Sequence, residues 1–475
     1  MLSIASRFWL FSVLLTIGLW SGLRASPLFV LCLYFVWLIF EDLARKLAGN
    51  DITLYFTKYF LMAGIVLQLI RRHPWHRRLF PPLLALWIGL WALVVIGNSF
   101  NPNLWHPLQA LVGIHADLLF LIVFLPAGYW LLQKSDDLRR LMVVICLLSV
   151  FPTIVAFVQW VYDPSFLNTT VMVGTELRPI NVRGIGEVEI AQVNSVFTEH
   201  GRFANYAEMI CWYGLSAIVL FASPQRNFPQ VTGWLGFSMG VMDMLLLAKR
   251  RPILNSLVGL LLFVTLALPR RRIFSIFPVR HLSLVVALLV GLYLLYPQTF
   301  KSVQDFLLKT MIGSDERPSE IAVRMPSYLE QLQIIGDVGL LGNGTGSVAL
   351  GLQYLQTRLG IDIPEPVTEN GFADKAWNYG LLGLLVWCGL LAQLLWELSR
   401  GPTHTLDPRW WAFRRLVLCW ALPYFTLSQL IGSHFMTDYL AQSYYWFLIG
   451  LALRQISLLN ADTPPSLKVV AAPCR

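Results

Sequence analysis

The sequence predicts an all-α polytopic membrane protein, and three observations predict it. Of its 475 residues, 56% are hydrophobic and only 13% charged, where soluble domains average about 25% charged. Apolar runs of ~17–20 residues recur along the chain, the length that crosses a hydrocarbon core of about 30 Å. Those runs are continuous rather than alternating, which argues against a transmembrane barrel.

Candidate spans cover 8–22, 27–40, 52–70, 79–97, 112–132, 139–161, 204–222, 231–248, 252–268, 282–297, 379–397, 414–432 and 440–455. Six units follow. Residues 1–161 are N-terminal transmembrane helices, and 162–203 form a first extracytoplasmic loop. Residues 204–298 are central transmembrane helices. A large extracytoplasmic loop with short amphipathic helices fills 299–378, and C-terminal transmembrane helices fill 379–457. Residues 458–475, with Pro464, Pro465 and Pro473, form a disordered cytoplasmic tail. The N-terminal pair allows two arrangements. If both 8–22 and 27–40 cross, about 13 helices are expected with the N-terminus outside. If one is re-entrant, 12 are expected with the N-terminus inside. Met1 to Leu23 offers no small-residue cleavage site, so no cleavable leader is expected.

Charge sets the expected orientation. The clusters at Arg71, Arg72, Arg77 and Arg78, at Lys134, Arg139 and Arg140, at Arg270–Arg272 and at Arg400, Arg409, Arg414 and Arg415 fall on one side when spans are counted. Excess Lys and Arg marks the cytoplasmic side. Both long inserts then lie outside, and the C-terminus inside. The net charge of +9 therefore needs no nucleic acid. Five of six cysteines lie in apolar segments, and no Cys-x-x-Cys spacing occurs, so neither a zinc site nor a disulfide framework is expected.

One basic cluster breaks the rule. Lys249-Arg250-Arg251-Pro252 falls at a turn that the count places outside. It reads either as snorkelling side chains or as an anion site, with Asp243, two turns earlier on the same face, as counter-ion. The first insert ends in Thr198-Glu199-His200-Gly201-Arg202-Phe203-Ala204-Asn205, which puts Arg202 and Asn205 at the membrane entrance. His200 has the weaker claim there, since a lone loop His is usually solvated. In the second insert, Ile321, Met325, Tyr328, Leu332 and Ile335 repeat at helical spacing, with Arg324 at the edge of the stripe. Gly342-Asn343-Gly344-Thr345-Gly346 is either a simple loop or a turn of N–H groups toward an anion. Charges inside the spans are sparse, and Asp117, Glu208 and Asp243 are the main ones.

The order of these features resembles the O-antigen ligase and polymerase superfamily of bacterial membrane glycosyltransferases. A Lys-Arg-Arg closes one outer span. Arg324 with Tyr328 follows, then Leu340-Leu341-Gly342-Asn343-Gly344-Thr345-Gly346 and Glu369-Asn370-Gly371. Trp377-Asn378-Tyr379-Gly380-Leu381-Leu382-Gly383-Leu384 opens the next span. The similarity covers about 195–450. The N-terminal third is similar only in having many spans.

The resemblance implies a multi-pass enzyme of the bacterial inner membrane, working at its outer face. It would pass glycan from a polyprenyl-diphosphate-linked donor to a glycan or lipid acceptor hydroxyl, with no cofactor, no metal and no nucleic acid. Membrane lipids and other polysaccharide-assembly proteins are the further partners it allows. Arg250 and Arg324 correspond to the family's span-end and loop arginines. Fixed guanidinium groups suit the charge that develops on a departing diphosphate. Arg251, Lys249, Arg202, Asn205, Asn370 and Gly344 are candidate substrate-binding residues. Glu369 stands where the ligases carry a His before the Asn that leads into the span; it is the candidate base, and the departure tilts the reading toward a polymerase. Two other readings stay open: a transporter of a small anionic solute, and a non-catalytic assembly component whose arginines bind lipid headgroups.

Overall fold

The structure, a computed structural model, describes residues 4–49, 51–72, 81–163, 193–222, 227–247, 249–267, 329–348, 370–400, 408–432 and 438–454, with scattered positions in 165–191 and 290–327. The expectations placed on Arg324, Tyr328, Glu369 and the span 282–297 fall outside the described residues, apart from scattered positions within that span.

The chain is a helical membrane protein. Among the described residues, seven helices are long and apolar enough to cross a bilayer: Pro27–Leu47, Thr53–Arg71, Pro82–Phe100, Pro107–Trp130, Ser135–Val161, His200–Leu220 and Gly371–Ser399. The segments predicted at 8–22, 231–248, 252–268, 414–432 and 440–455 are helical as well. Three short antiparallel ribbons are the only paired strands among the described residues. They pair Val171–Val173 with Glu176–Arg178, Val182–Ile185 with Val188–Ala191, and Gly313–Ser314 with Arg317–Pro318.

Helix α1 (Ile4–Arg24) is followed at once by α2 (Pro27–Leu47). Ser26 caps α2, its hydroxyl accepting from the Phe29 N–H at 3.2 Å, and Pro27 takes the first position, where no N–H is needed. The α2 helix runs seven residues past the predicted 27–40, so Glu41, Asp42, Arg45 and Lys46 lie on a helix inside the bundle. A one-turn helix, Ile52–Tyr55, leads to α3 (Thr57–Arg72). Gly18 packs on Phe60, Gly22 on Gly64 and Leu67, and Gln68 donates to the Ser21, Gly22 and Ala25 carbonyls. Those pairings rise together along both chains, so α1 and α3 run parallel. Both N-terminal segments therefore traverse the bundle, and residue 4 lies at the same end as Asp42.

Next come α4 (Pro82–Gly97), α5 (Pro107–Ile114), a π turn at His115–Leu119 and α6 (Phe120–Trp130), then α7 (Ser135–Leu148) and α8 (Val150–Val161). The central helix is α9 (His200–Leu220), whose apolar window is wholly buried. It crosses α10 (Phe228–Leu247) closely, because Gly214, Gly233 and Gly240 leave no room for a Cβ between the backbones. That is the small-residue contact membrane helices use when hydrophobicity alone cannot drive them together. The last helices are α11 (Arg250–Leu262), α12 (Gly371–Ser399), α13 (Pro408–Phe425) and α14 (Tyr439–Leu453).

The two ends of the bundle differ in chemistry. At one end Arg71 donates to the Gly22 and Leu23 carbonyls, Arg414 to those of Glu397 and Leu398, and Arg139 lies 5.7 Å from the centre of the Phe221 ring. Backbone carbonyls at helix C-termini carry partial negative charge, which is where arginines settle. The other end holds the starts of α9, α11, α12 and α14 and the end of α2, and most of the buried polar side chains among the described residues lie there.

Helix α12 is broken at Gly380, where φ is +66° and ψ −171°. A continuous helix would pair the N–H groups of Leu381 and Leu382 with the carbonyls of Trp377 and Asn378. Instead, residues 339–344 enter the break. Leu381 and Leu382 donate to the Gly339 and Leu340 carbonyls at 3.3 and 3.2 Å. Asn343 and Gly344 donate to the Trp377 and Asn378 carbonyls at 2.8 and 2.9 Å. Four backbone groups freed by the break are thus paired, as a buried break favours.

Candidate functional site

The site is built where the first outer insert re-enters the bundle. Residues 193–198 are all buried. Ser195, held at φ +53°, is fixed from three sides. Gln159 accepts from its N–H at 2.7 Å and donates to its carbonyl at 3.1 Å, its hydroxyl donates to the Pro152 carbonyl at 2.6 Å, and Lys46 donates to its carbonyl at 2.6 Å. A non-glycine residue persists in that conformation only when its surroundings over-determine it. This anchor sets where Thr198, Glu199 and Arg202 stand.

Arg202 is the hub. Its Nη1 lies 2.9 Å from both oxygens of Asp42 and 3.0 Å from the Thr198 hydroxyl, and its Nε donates to Asp438 at 3.0 Å. The guanidinium also lies 4.6 Å from the centre of the Tyr439 ring. Asp42 accepts further from Arg45 at 3.2 Å and from the Tyr439 hydroxyl at 3.2 Å. The same hydroxyl lies 3.1 Å from Glu41, which pairs with Lys58 at 3.1 Å. Lys58 is held between the rings of Tyr55 and Tyr439, 3.2 and 3.7 Å from their centres.

From Asp438 the network runs deeper. Asn205 Nδ2 donates to Asp438 at 3.0 Å, and Asn205 Oδ1 accepts from Arg251 Nη2. One helical turn after Arg251, Asn255 donates to Glu208 at 2.7 Å, which also accepts from Trp420 at 3.3 Å. Glu208 Oε2 and Asn255 Oδ1 have no hydrogen-bond partner among the described residues. Four cations (Arg45, Lys58, Arg202, Arg251) thus meet four carboxylates (Glu41, Asp42, Glu208, Asp438) across α2, α3, α9, α11 and α14. Buried charges persist when paired in this way.

The rim is more basic. Lys249 caps α11 and Arg250 opens it, both half-buried. Glu199, the cap residue of α9, lies among Arg202, Asp438, Lys249 and Asp42. Burial raises its carboxyl above the ordinary carboxylate value. Asp438 and Asp42 add to the rise, while Arg202 and Lys249 oppose it.

Of the residues predicted from sequence, Arg202, Asn205 and Arg251 join one network, with Lys249 and Arg250 at its rim. Others have different work. Asn370 is the N-cap of α12, its Oδ1 accepting from the Phe372 and Ala373 N–H groups at 2.9 and 3.1 Å. The glycine cluster does not turn its N–H groups toward an open anion site. Those of Asn343, Gly344 and Thr345 go to the carbonyls of Trp377, Asn378 and Asn98. Gly342, Gly344 and Gly346 all have positive φ, the conformation that only glycine adopts without cost. Asp243 is not the counter-ion of Arg250 among the described residues. It is buried beneath α8 and accepts from the Thr153 hydroxyl at 2.9 Å. His200 begins α9 and is half-buried.

Sequence reasoning misses Glu41, Asp42, Arg45, Lys58, Glu199 and Asp438. The available signal is Glu-Asp-x-x-Arg-Lys continuing the apolar period of 27–40 without a Gly or Pro stop. A second buried pair is half visible in the sequence. Asp117, on the π turn, accepts from Lys375 and, at 2.5 Å, from the Tyr379 hydroxyl. Comparison with known proteins finds no matching family model and no matching curated protein.

Proposed function

We propose that the protein is a glycosyltransferase that moves or polymerises glycan from a polyprenyl-diphosphate-linked donor onto an acceptor hydroxyl. The supporting observation is the bond between Arg251 and Asn205, which joins the basic turn 249–252 to the helix entrance 197–206. The turn read as an anion site and the stretch read as the membrane entrance thereby become one surface. Lys249, Arg250 and Arg251 would receive the diphosphate. Arg202, locked on two carboxylates, would hold the entrance in place. Guanidinium groups that are already oriented stabilise a developing phosphate charge without reorganising. On this reading the site end of the bundle is the outer face of a bacterial inner membrane, because the opposite end carries the excess of arginines. The motif order over 195–450 supports the same assignment, with an acceptor that is either a second lipid-linked glycan or a lipid core.

The test is made in a strain deleted for the gene and complemented with Arg250→Ala or Arg324→Ala. Surface glycan is followed by gel and lipid-linked precursor by extraction. Lost long glycan with accumulated precursor is the expected result, and collapse to single repeat units selects polymerase over ligase. Unchanged glycan in the deletion strain would sink the reading.

One set of observations favours a second reading, a transporter of a small anionic solute. Glu41 with Lys58 and Asp117 with Lys375 are buried pairs, and α12 is discontinuous at Gly380. Carriers place charged groups and broken helices together around their cargo. Uptake of labelled organic and inorganic anions into vesicles containing the protein would select it.

A further inference from the structure

Transfer to a hydroxyl needs a group to take its proton, and most buried carboxylates among the described residues are already engaged. Asp42 and Asp438 are each held by Arg202, Glu41 by Lys58, and Asp117 by Lys375. Glu208 lies deeper in α9, held by Asn255 and Trp420. Glu199 differs from all of them. Its side chain does not cap its own helix, and it takes no hydrogen bond or ion pair among the described residues. It is nonetheless fixed. Residues 193–198 anchor it from one side and α9 begins at the next residue. It is half-buried, at the same rim as Lys249 and one turn before Arg202.

We propose that Glu199 is the proton acceptor for the incoming hydroxyl, an inference that rests on the transferase reading above. The hydroxyl oxygen forms the new bond to the anomeric carbon as the bond from that carbon to the diphosphate oxygen breaks. The bonding pair leaves with the diphosphate, beside Lys249, Arg250 and Arg251. The hydroxyl proton passes to a Glu199 carboxylate oxygen and from there to water. Nothing is oxidised or reduced. Placing an acceptor carboxylate within the field of Lys249, one of the cations that would receive the leaving group, lets one rim serve both ends of the displacement. Burial raises the carboxyl above the ordinary carboxylate value, which strengthens it as a base. The charged groups acting on it come from four places: Arg202 on its own helix, Asp42 on α2, Lys249 at the start of α11 and Asp438 at the start of α14.

The experiment uses the full chain in liposomes, a synthetic polyprenyl-diphosphate-linked disaccharide as donor and a free-hydroxyl oligosaccharide as acceptor. Wild type, Glu199→Gln, Glu199→Asp and Glu369→Gln are compared for turnover, donor retention and the pH dependence of kcat/KM. Glu199→Gln is expected to lose about 10²-fold or more in turnover, to retain donor and to lose the acid limb of the profile. Glu369→Gln is expected to keep that limb. Should Glu199→Gln fail to insert, Glu199→Asp carries the test, because its carboxylate stands one methylene back and should move the limb. Wild-type turnover in Glu199→Gln, an unmoved limb in Glu199→Asp, or a limb abolished only by Glu369→Gln would overturn the assignment. If wild type itself transfers nothing and the deletion strain keeps its glycan, the transferase reading falls, and this inference with it.

Discussion

Gly380 is seated on the backbone of Leu340, so closely that a Cβ at 380 would overlap the Leu340 carbonyl. The contact exists because residues 339–344 enter the break in α12 and pair four backbone groups that it frees. Gly380→Ala should therefore fail twice. Its φ of +66° costs a non-glycine residue about 1–3 kcal/mol, and the overlap would push the inserted segment out. A large drop in melting temperature in detergent is expected. Gly89, in α4, has open space where a Cβ would stand, with nothing within 4 Å, so Gly89→Ala should be neutral or stabilising by about 0.5–1 kcal/mol. Equal behaviour of the two variants would sink this account.

Asp117 and Lys375, 258 residues apart, make a buried pair that ties the π turn to the first turn of α12. Removing one partner leaves a charge stranded among Trp91, Trp387 and Tyr379. Breaking such a pair costs about 3–5 kcal/mol, whereas replacing both partners with neutral groups costs much less. Asp117→Asn and Lys375→Met should each lower thermal stability sharply, and the double variant should recover most of the loss. Additive losses in this double-mutant cycle would show that the two groups do not couple.

Much of the helical frame is legible in the sequence, and the reason is local. Continuous apolar runs are counted one at a time, and Ser26-Pro27 marks a helix start by its own chemistry. The pairings are not legible. Asp117 stands out as an intramembrane charge, but nothing near it in the chain points to Lys375. Glu41 and Asp42 read as the polar end of a short span, because a charge after an apolar run usually meets water. Here the apolar period continues, and the carboxylates meet Lys58 and Arg202 instead of solvent. The glycine cluster shows the converse limit. Gly342-Asn343-Gly344-Thr345-Gly346 announces positive φ, but not whether its N–H groups serve an anion or a broken helix. Only the position of Trp377 and Asn378 decides that. Arg202 and Asn205 are legible as a helix entrance, since the apolar run of α9 starts beside them.

Arg202 holds Asp42 with Nη1 and Asp438 with Nε, so a single planar group spans two carboxylates from different helices. A lysine ammonium is a point charge on a flexible stem and cannot present both edges. Arg202→Lys that keeps Asp42, which also holds Arg45, should leave Asp438 with the Asn205 hydrogen bond but no ion-pair partner among the described residues, at a cost of about 3 kcal/mol, despite conserving charge. The expected result is a variant that inserts, melts well below wild type and resembles Arg202→Ala in glycan output. Output from Arg202→Lys equal to wild type would mean that charge, not the two-edged geometry, is what the entrance needs.

The Glu199 carboxyl gives a prediction whose sign can be worked out in advance. Burial raises it above its ordinary value of 4.5. The folded protein then binds more protons at this position than the unfolded chain does, so stability falls as pH rises from that ordinary value to the raised one. Above the raised value the penalty is constant. Glutamine keeps the shape and removes the titration. The melting temperature of Glu199→Gln should accordingly match wild type in acid and exceed it at neutral pH, with the gap opening across that window. Such a variant would be stabilised and inactive together, which separates a chemical role from a structural one. A Glu199→Gln protein less stable than wild type at neutral pH would instead make this carboxylate an electrostatic anchor for Arg202 and Lys249. Their attraction would then outweigh the cost of burial, and the proton-acceptor role would lose its physical basis.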